Sequence, residues 1–165
     1  MKNTVLVYLV NKTNGTILLA RAKRGISLGK LNGAGGKIEE NETPEKTAMR
    51  EAAEELRVTI KESDLVRVGE CVFHFENGPR WNNTVYFAYR WEGKPCETEE
   101  MGDSAWYNIN ALPYADMWAD DILWLPDVFA GNRISAEFHF DEKGDTILDY
   151  RIEGEKMKNH KKLWK

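Results

Sequence analysis

A dense group of charges, Arg50, Glu51, Glu54 and Glu55, constrains this chain more than any other feature of its sequence. The pair Thr43–Pro44 lies just upstream and predicts the start of a helix, because threonine caps helices and proline is tolerated at their first position. On such a helix Glu51 faces Glu54 and Glu55, which follow it by three and four residues. Like charges at this spacing repel each other, so a bound divalent cation would stabilise the arrangement.

The segment before this helix is rich in glycine, and Gly33, Gly35 and Gly36 lie close to the predicted first turn. Residues without a side chain allow the backbone to approach a ligand closely. Carboxylate and carbonyl oxygens suit Mg²⁺ or Mn²⁺, which also bind substrate phosphates and activate water. The pattern therefore indicates hydrolysis at phosphorus. For the glutamates taken alone, a solvated charged helix face is the alternative interpretation.

The rest of the chain is predicted to alternate between strands and helices. Apolar periodicity continues the first helix to Leu56 or Arg57, and Asp121–Phe129 reads as a second helix. A hairpin is expected at Asn14–Gly15, and Gly25–Gly36 is expected to be a glycine-rich loop. Together the elements predict an α/β domain whose mixed sheet is packed between helices. Strands are expected at Thr4–Val10, Thr16–Arg21, Glu70–Phe75, Asn83–Trp91, Ser104–Tyr107, Ile134–Phe140 and Thr146–Ile152.

The bulk composition limits the functions that are open to this chain. Its 165 residues suffice for one domain with one core. The net charge of -4 argues against binding to a nucleic acid polymer or an anionic membrane, since both prefer a basic surface. Two cysteines outside any CxxC pattern and the lack of a long apolar run predict a cytoplasmic location. Five lysines in the last ten residues indicate a solvated basic tail.

The run from Gly33 to Val58 resembles the Nudix box, G-x5-E-x7-R-E-U-x-E-E-x-G-U, in which U is a bulky aliphatic residue. Two positions depart from the pattern: Arg57 replaces its last glycine, and Ala52 is small for an aliphatic position. Because that glycine eases the end of the helix, Arg57 is expected to alter the helix exit rather than the metal site. The positions that match are Gly36, Glu42, Arg50, Glu51, Glu54, Glu55 and Val58.

The resemblance implies a Nudix fold, a magnesium-dependent hydrolase and a role for each matching residue. Arg50 would orient a glutamate, and Glu42 would hold the geometry of the loop and helix. One of the clustered glutamates would act as general base, and the resemblance does not specify which. Metal ligands would be the carbonyl of Gly36 and the carboxylates of Glu51, Glu54, Glu55 and Glu100.

Similarity to the MutT-like members of this family, especially the animal enzymes for oxidised purine nucleoside triphosphates, extends to about Glu153. It implies a Nudix domain over residues 1–153 and a tail over residues 154–165. The motifs that carry it are Lys23–Gly25, Leu31–Gly33, Glu100–Met101, Asp116–Asp121 and Asp145–Tyr150.

By position, the same resemblance implies a base pocket in which Asn32, Asp120 and Asp121 read the purine edge. Trp118 would stack on the base, Phe73 and Trp124 would form the walls, and Thr4 and Lys23 would also contact substrate. Each residue has a simpler alternative. A tryptophan is often core, Asp120 and Asp121 suit a helix N-terminus, and Asn32 suits a turn.

Departures from the animal enzymes leave the substrate open. Ile26 stands where they have an aromatic residue, and Asn82, or Trp81 if the loop shifts, aligns with their pocket methionine. The predicted activity is hydrolysis of purine (deoxy)nucleoside triphosphates, including oxidised ones such as 8-oxo-dGTP, to monophosphate and pyrophosphate. One alternative is a Nudix pyrophosphatase for another nucleoside diphosphate derivative, such as a nucleotide sugar or dinucleoside polyphosphate. Another is an inactive nucleotide-binding module. The expected partner is a small nucleotide, and the sequence does not distinguish monomer from dimer.

Overall fold

The computed structural model describes residues 1–158, and within them lie nine strands, two α-helices and two short 3-10 turns. The 3-10 turns are Glu62–Asp64 and Tyr114–Asp116. The other elements are β1 (Lys2–Asn11), β2 (Thr16–Ala22), β3 (Leu31–Asn32), β4 (Ala34–Lys37), α1 (Pro44–Leu56), β5 (Leu65–Phe75), β6 (Arg80–Ala88), β7 (Met101–Asn108), α2 (Asp121–Phe129), β8 (Asn132–Phe140) and β9 (Ile147–Lys156).

The strands form one sheet with the order β3-β2-β1-β6-β5-β8-β9, to which β4 is joined through β1 and β7 through β2. The β1–β6 and β5–β8 pairs are parallel, and the other pairs are antiparallel. Strand β1 connects two parts of this sheet: its first part pairs with β4, and its last residues, Val10 and Asn11, pair with β2. The sheet is therefore mixed, as predicted.

The two helices cover opposite faces of this sheet. Successive side chains of β1 point to opposite faces, so Val5 and Val7 lie in the apolar cluster that contains α1 residues such as Ala52. Leu6 and Tyr8 lie in the cluster on the other face, which contains α2. This confirms the predicted α/β arrangement of a mixed sheet sandwiched between helices.

Helix α1 begins and ends as its flanking residues dictate. The Thr43 hydroxyl accepts a 3.1 Å hydrogen bond from the backbone N–H of Lys46, and Pro44 occupies the first turn. At the other end Arg57 is left-handed, with φ of 61°, and its N–H donates to the carbonyl of Ala53. The residue that replaces the glycine of the box thus adopts the backbone conformation for which glycine is preferred.

Several boundaries differ from the predictions. The expected glycine-rich loop is a loop only in its first half, since β3 and β4 form within it when Leu31 and Ala34 become buried. Strand β9 continues to Lys156, three residues into the predicted tail, because it stays paired with β8 as far as Asn132. The rest of the predicted tail, residues 159–165, lies outside the described residues. Across residues 1–158, helices that are both long and apolar enough to cross a membrane are absent.

Candidate active site

One cavity of about 430 Å³ joins the glycine-rich segment to the aromatic end of the sheet. At one end it reaches Gly36, Glu55 and Glu100, and at the other it reaches Asp120 and Asp121. Most of the residues predicted from the resemblance meet here. Those among them that line the cavity are Thr4, Asn32, Gly36, Glu55, Phe73, Glu100, Trp118, Asp120, Asp121 and Trp124.

Arg50 ties the charged face of α1 together. Its Nε and one terminal nitrogen bind the two carboxylate oxygens of Glu42 at 2.8 and 2.9 Å, in the bidentate geometry for which arginine is suited. Its other terminal nitrogen, Nη1, donates to Glu51 at 2.9 Å and to Glu54 at 3.4 Å. The guanidinium lowers the pKa of Glu42 to about 2. Glu42 and Arg50 thus fix the position of Glu51.

Three carboxylates converge beside this helix, and they come from two distant parts of the chain. Glu51, Glu55 and Glu100 each offer an oxygen within 4.8 Å of the other two. Glu54 is not part of this group: its side chain is 52% exposed and lies against Arg50. Of the four predicted acidic metal ligands, the structure therefore brings together three.

Each of the three converging carboxylates is held by its own donor. Arg50 holds Glu51, and the backbone N–H of Gly35 donates to Glu55 Oε1 at 2.7 Å. Arg24 donates to Glu100 Oε1 at 2.6 Å. Arg24 belongs to a motif that carried the resemblance, but the sequence assigned it no role, because its partner lies 76 residues away.

Gly36 is required by a close approach rather than by its backbone angles. A β-carbon at this position would lie 2.2 Å from Oε1 of Glu51, which is far inside contact distance. The strand β4 can therefore run against the carboxylate cluster only if residue 36 lacks a side chain. This places the backbone of Gly36 beside Glu51, where its carbonyl remains the predicted additional ligand.

The electrostatics of the cluster suit a divalent cation. Burial raises the pKa of Glu51 and raises that of Glu55 to about 8, against the ordinary range of a carboxyl. The hydrogen bond from Arg24 lowers the pKa of Glu100. Buried carboxylates in contact are unfavourable unless protons or cations compensate them. Oxygen ligands of this number and charge fit a hard cation such as Mg²⁺.

Asp120 and Asp121 form a second acidic pair at the aromatic end of the cavity, where both are buried. Asp120 Oδ2 accepts a 2.7 Å hydrogen bond from Nε1 of Trp124, whereas Oδ2 of Asp121 has no partner within residues 1–158. Burial raises the pKa of Asp120 to about 6 and that of Asp121 well above its usual value. The capping alternative for Asp120 is not supported, because its side chain makes no cap hydrogen bond to α2.

Asn32 is oriented by two donors. Its Oδ1 accepts from the hydroxyl of Tyr8 at 3.1 Å and from the backbone N–H of Gly33 at 2.9 Å. With the oxygen occupied, the amide nitrogen is the group left to offer its hydrogens to a ligand. Tyr8 was missed from the sequence, since it looks like any other apolar residue of a buried strand.

Aromatic rings enclose the region between these polar groups. Trp118 meets Phe75 edge to face at 6.3 Å, and its indole N–H donates to Ser27 at 2.8 Å. Phe73 packs against Phe138 at 5.9 Å. A flat aromatic ligand such as a nucleobase fits between walls of this kind.

Two residues that were considered for substrate contact lie elsewhere. Lys23 lies outside the cavity lining and donates to the carbonyl of Thr98 at 2.8 Å and to the carboxylate of Glu97. Strand β6 directs Trp81 and Asn83 into the cavity, and its alternation puts Asn82 on the other face. Of the two positions considered for the pocket methionine, Trp81 therefore lines the cavity and Asn82 does not. Ile26 does line the cavity, as expected.

Comparison with known proteins gives this geometry a family. Residues 1–128 match the model of the NUDIX domain. The chain is 36% identical to the oxidized purine nucleoside triphosphate hydrolase of Danio rerio over 140 residues, which are 84% of this chain and 87% of that protein. It is also 36% identical to the protein of the same name from Mus musculus over 137 residues, 82% of this chain and 85% of that one.

The fold is similar to that of a solved mutator MutT protein from Bacillus halodurans, with a TM-score of 0.77 and 21% identity. This match covers 92% of the present chain and 97% of the bacterial one. The family model, the two animal relatives and the acidic box on α1 agree, and the chain belongs to the Nudix hydrolase family.

Proposed function

We propose that the protein hydrolyses oxidised purine nucleoside triphosphates, such as 8-oxo-dGTP, to the monophosphate and pyrophosphate. The observation that carries the proposal is the continuity of one cavity from the buried pair Asp120–Asp121 to Glu55 and Glu100. Its volume of about 430 Å³ falls in the range of small-ligand sites. The names of the animal relatives support the choice of substrate.

The aromatic end recognises the base. Both carboxyl groups of the Asp120–Asp121 pair have raised pKa values, so the pair holds a proton that exposed carboxyl groups lose at the same pH. A protonated carboxyl donates a hydrogen bond and an ionised one accepts, so together they match a purine edge that carries both kinds of group. The amide hydrogens of Asn32 supply further donors. Trp118 offers its face to the ring.

The carboxylate end performs the chemistry. The residues proposed to hold Mg²⁺, or Mn²⁺, are Glu51, Glu55, Glu100 and the carbonyl of Gly36, with Glu54 adjoining them on α1. When bound, such an ion neutralises polyphosphate charge and lowers the pKa of an attacking water.

The chain contributes preorganisation to this reaction. Arg50, the N–H of Gly35 and Arg24 fix Glu51, Glu55 and Glu100, respectively, before substrate arrives. One of these carboxylates accepts the proton of the water that attacks phosphorus. The apolar walls of the cavity keep other water molecules away from the nucleobase. Fixed donors and carboxylates need no reorganisation during the reaction, which lowers its barrier.

The proposed substrate also defines the proposed binding partner, which is a free nucleotide. A reducing compartment such as the cytoplasm is proposed because Cys71 and Cys96 are both unpaired, one buried and one exposed.

Pyrophosphate release tests the proposal. The substrates would be 8-oxo-dGTP, 2-hydroxy-dATP, dGTP and a nucleotide sugar, each with and without Mg²⁺, and Glu55→Gln would be compared with the exposed control Glu62→Gln. We expect the protein to hydrolyse the oxidised triphosphates in preference to the other substrates, and to do so only when Mg²⁺ is present. Glu55→Gln should lose this activity, whereas Glu62→Gln should keep it. Preference for the nucleotide sugar would assign a different Nudix substrate, and tight binding without any turnover would assign a binding module.

A further inference from the structure

A second group of metal-ligating side chains lies on the β5–β8 pair, away from the carboxylate cluster. His74 on β5 stands directly opposite His139 on β8, and Glu137 lies two residues before His139 on the same face. Neighbouring Phe73 and Phe75 line the base cavity, so His74 between them points to the opposite face of the sheet. The group is therefore separate from the proposed active site.

The three side chains already converge. Nε2 of His74 lies 2.6 Å from Oε1 of Glu137, and Nε2 of His139 lies 3.8 Å from the same oxygen. The imidazole rings are nearly parallel, at 4° with centroids 4.3 Å apart. Each residue offers one ligand atom within 4.8 Å of the other two, and all three side chains are partly open to solvent.

We propose that His74, Glu137 and His139 form a binding site for Zn²⁺ that joins β5 to β8. Two imidazole nitrogens and one carboxylate oxygen are a set of ligands that zinc accepts, with water in the fourth position. Ligand atoms around tetrahedral zinc lie about 3.3 Å apart. Because the lone pair of Nε2 lies in the plane of its ring and the two ring planes are now parallel, both imidazoles must turn about their side-chain bonds to reach one ion. The ion takes the position of the hydrogen that now joins Nε2 of His74 to Glu137, and the neutral ring then carries its hydrogen on Nδ1.

The site is selective against the cation expected at the carboxylate cluster. Mg²⁺ prefers oxygen ligands in octahedral geometry, whereas imidazole nitrogen suits zinc. Excess Mg²⁺ should therefore occupy the carboxylate cluster and leave the imidazole site to zinc. Because the zinc site connects two strands that are distant in sequence, its occupancy stabilises the folded chain by binding the native state alone.

Arg151 on β9 modulates the affinity of this site. Its guanidinium lies 3.4 Å from Oε2 of Glu137, whereas both imidazoles lie near Oε1. A fixed positive charge at that distance repels a divalent cation. Arg151→Gln removes this charge without removing a ligand, so it should strengthen zinc binding.

Isothermal titration of Zn²⁺ into the full chain tests the site. The background would be Cys96→Ser, which removes an exposed thiol, a group that zinc also accepts as a ligand, with excess Mg²⁺ present to occupy the carboxylate cluster. We expect one equivalent of zinc to bind. Loss of a residue that merely orients a ligand costs about 10–100-fold in metal affinity, so His74→Asn and His139→Asn should each cost at least about tenfold.

Matched variants distinguish this site from others. His160→Asn removes the remaining histidine of the chain, and Glu55→Gln weakens the carboxylate cluster; both should leave zinc affinity unchanged, while Arg151→Gln should raise it. Zinc should also raise the melting temperature of the background chain and not that of His74→Asn. The proposal is overturned if zinc does not bind in excess Mg²⁺, if binding survives in the His74→Asn, His139→Asn double variant, or if it disappears in Glu55→Gln.

Discussion

The indole Nε1 of Trp124 donates a 2.7 Å hydrogen bond to Oδ2 of Asp120, and both side chains are almost completely buried. This bond stabilises the ionised form of Asp120 against the burial that opposes it. The adjacent Asp121 lacks such a donor on Oδ2 within the described part of the chain. The two carboxyls thus differ: Asp120 is the better acceptor and Asp121 the better proton carrier.

Asp120→Asn should therefore weaken the recognition of an oxidised purine. The change replaces a charged acceptor by an amide, and a hydrogen bond to a charged group is worth about 1.5–3 kcal/mol, so kcat/KM for 8-oxo-dGTP should fall about 10–100-fold. Steady-state kinetics would measure this. The exposed variant Asp116→Asn is the control, and equal losses in both variants would contradict a role for Asp120 in base recognition.

The Asp120–Asp121 pair should also make stability depend on pH. Burial raises the pKa of Asp120 to about 6, compared with about 3.9 in an unfolded chain. A raised pKa gives stabilisation that is complete below about pH 4 and is lost as pH rises through about 6. The raised pKa of Asp121 extends this loss to higher pH.

Asp121→Asn removes one of the two titrating groups, so its free energy of unfolding relative to the unchanged chain should increase between pH 5 and pH 8. Urea unfolding at several pH values, without nucleotide, would measure the difference. Asp116→Asn should show no such trend. A difference for Asp121→Asn that stays constant with pH would refute the assignment.

The fold and the acidic face of α1 were predictable because their signals are local. These signals depend on neighbours in sequence: helix capping by Thr43, the spacing of the glutamates, and the alternation of apolar residues along strands. They predicted α1 and most of the strands. The contacts of Tyr8 with Asn32 and of Arg24 with Glu100 depend on strand pairing between distant segments. The same is true of Trp81, which enters the cavity because the register of β6 directs it inward.

Arg50→Lys should impair catalysis while the chain stays folded. Lysine keeps the charge but cannot make the bidentate contact with Glu42 and hold Glu51 at the same time. Loss of such an orienting group costs about 10–100-fold in metal affinity or activity. Turnover measured across a Mg²⁺ titration should show a weaker metal response, whereas the exposed Arg90→Lys should not. Unchanged turnover in Arg50→Lys would exclude the orienting role.

Trp81→Phe tests whether the indole N–H of Trp81 donates a hydrogen bond to the nucleotide in the cavity. Nε1 of Trp81 is buried and makes no hydrogen bond within residues 1–158, so removing this donor breaks no hydrogen bond of the free protein. If a nucleotide accepts from this nitrogen, KM for 8-oxo-dGTP should rise about 2–10-fold, because one hydrogen bond contributes about 0.5–1.5 kcal/mol. Trp106→Phe, in an exposed stacked pair with Trp91, is the control. An unchanged KM would show that Trp81 lines the cavity without donating a hydrogen bond to the nucleotide.

Arg57→Gly should stabilise the protein without altering its activity. Arg57 has φ of 61°, in a region that costs a residue with a side chain about 1–2 kcal/mol, whereas glycine loses about 0.5–1 kcal/mol of conformational entropy on folding. The difference favours glycine by about 0.5–1 kcal/mol in the free energy of unfolding, measured by urea denaturation. Arg57→Ala removes the same charge but keeps the β-carbon, so it should leave stability nearly unchanged. If Arg57→Ala and Arg57→Gly stabilise the protein equally, the gain comes from the lost charge and not from the backbone conformation. Glycine at position 57 would then offer no advantage in ending α1.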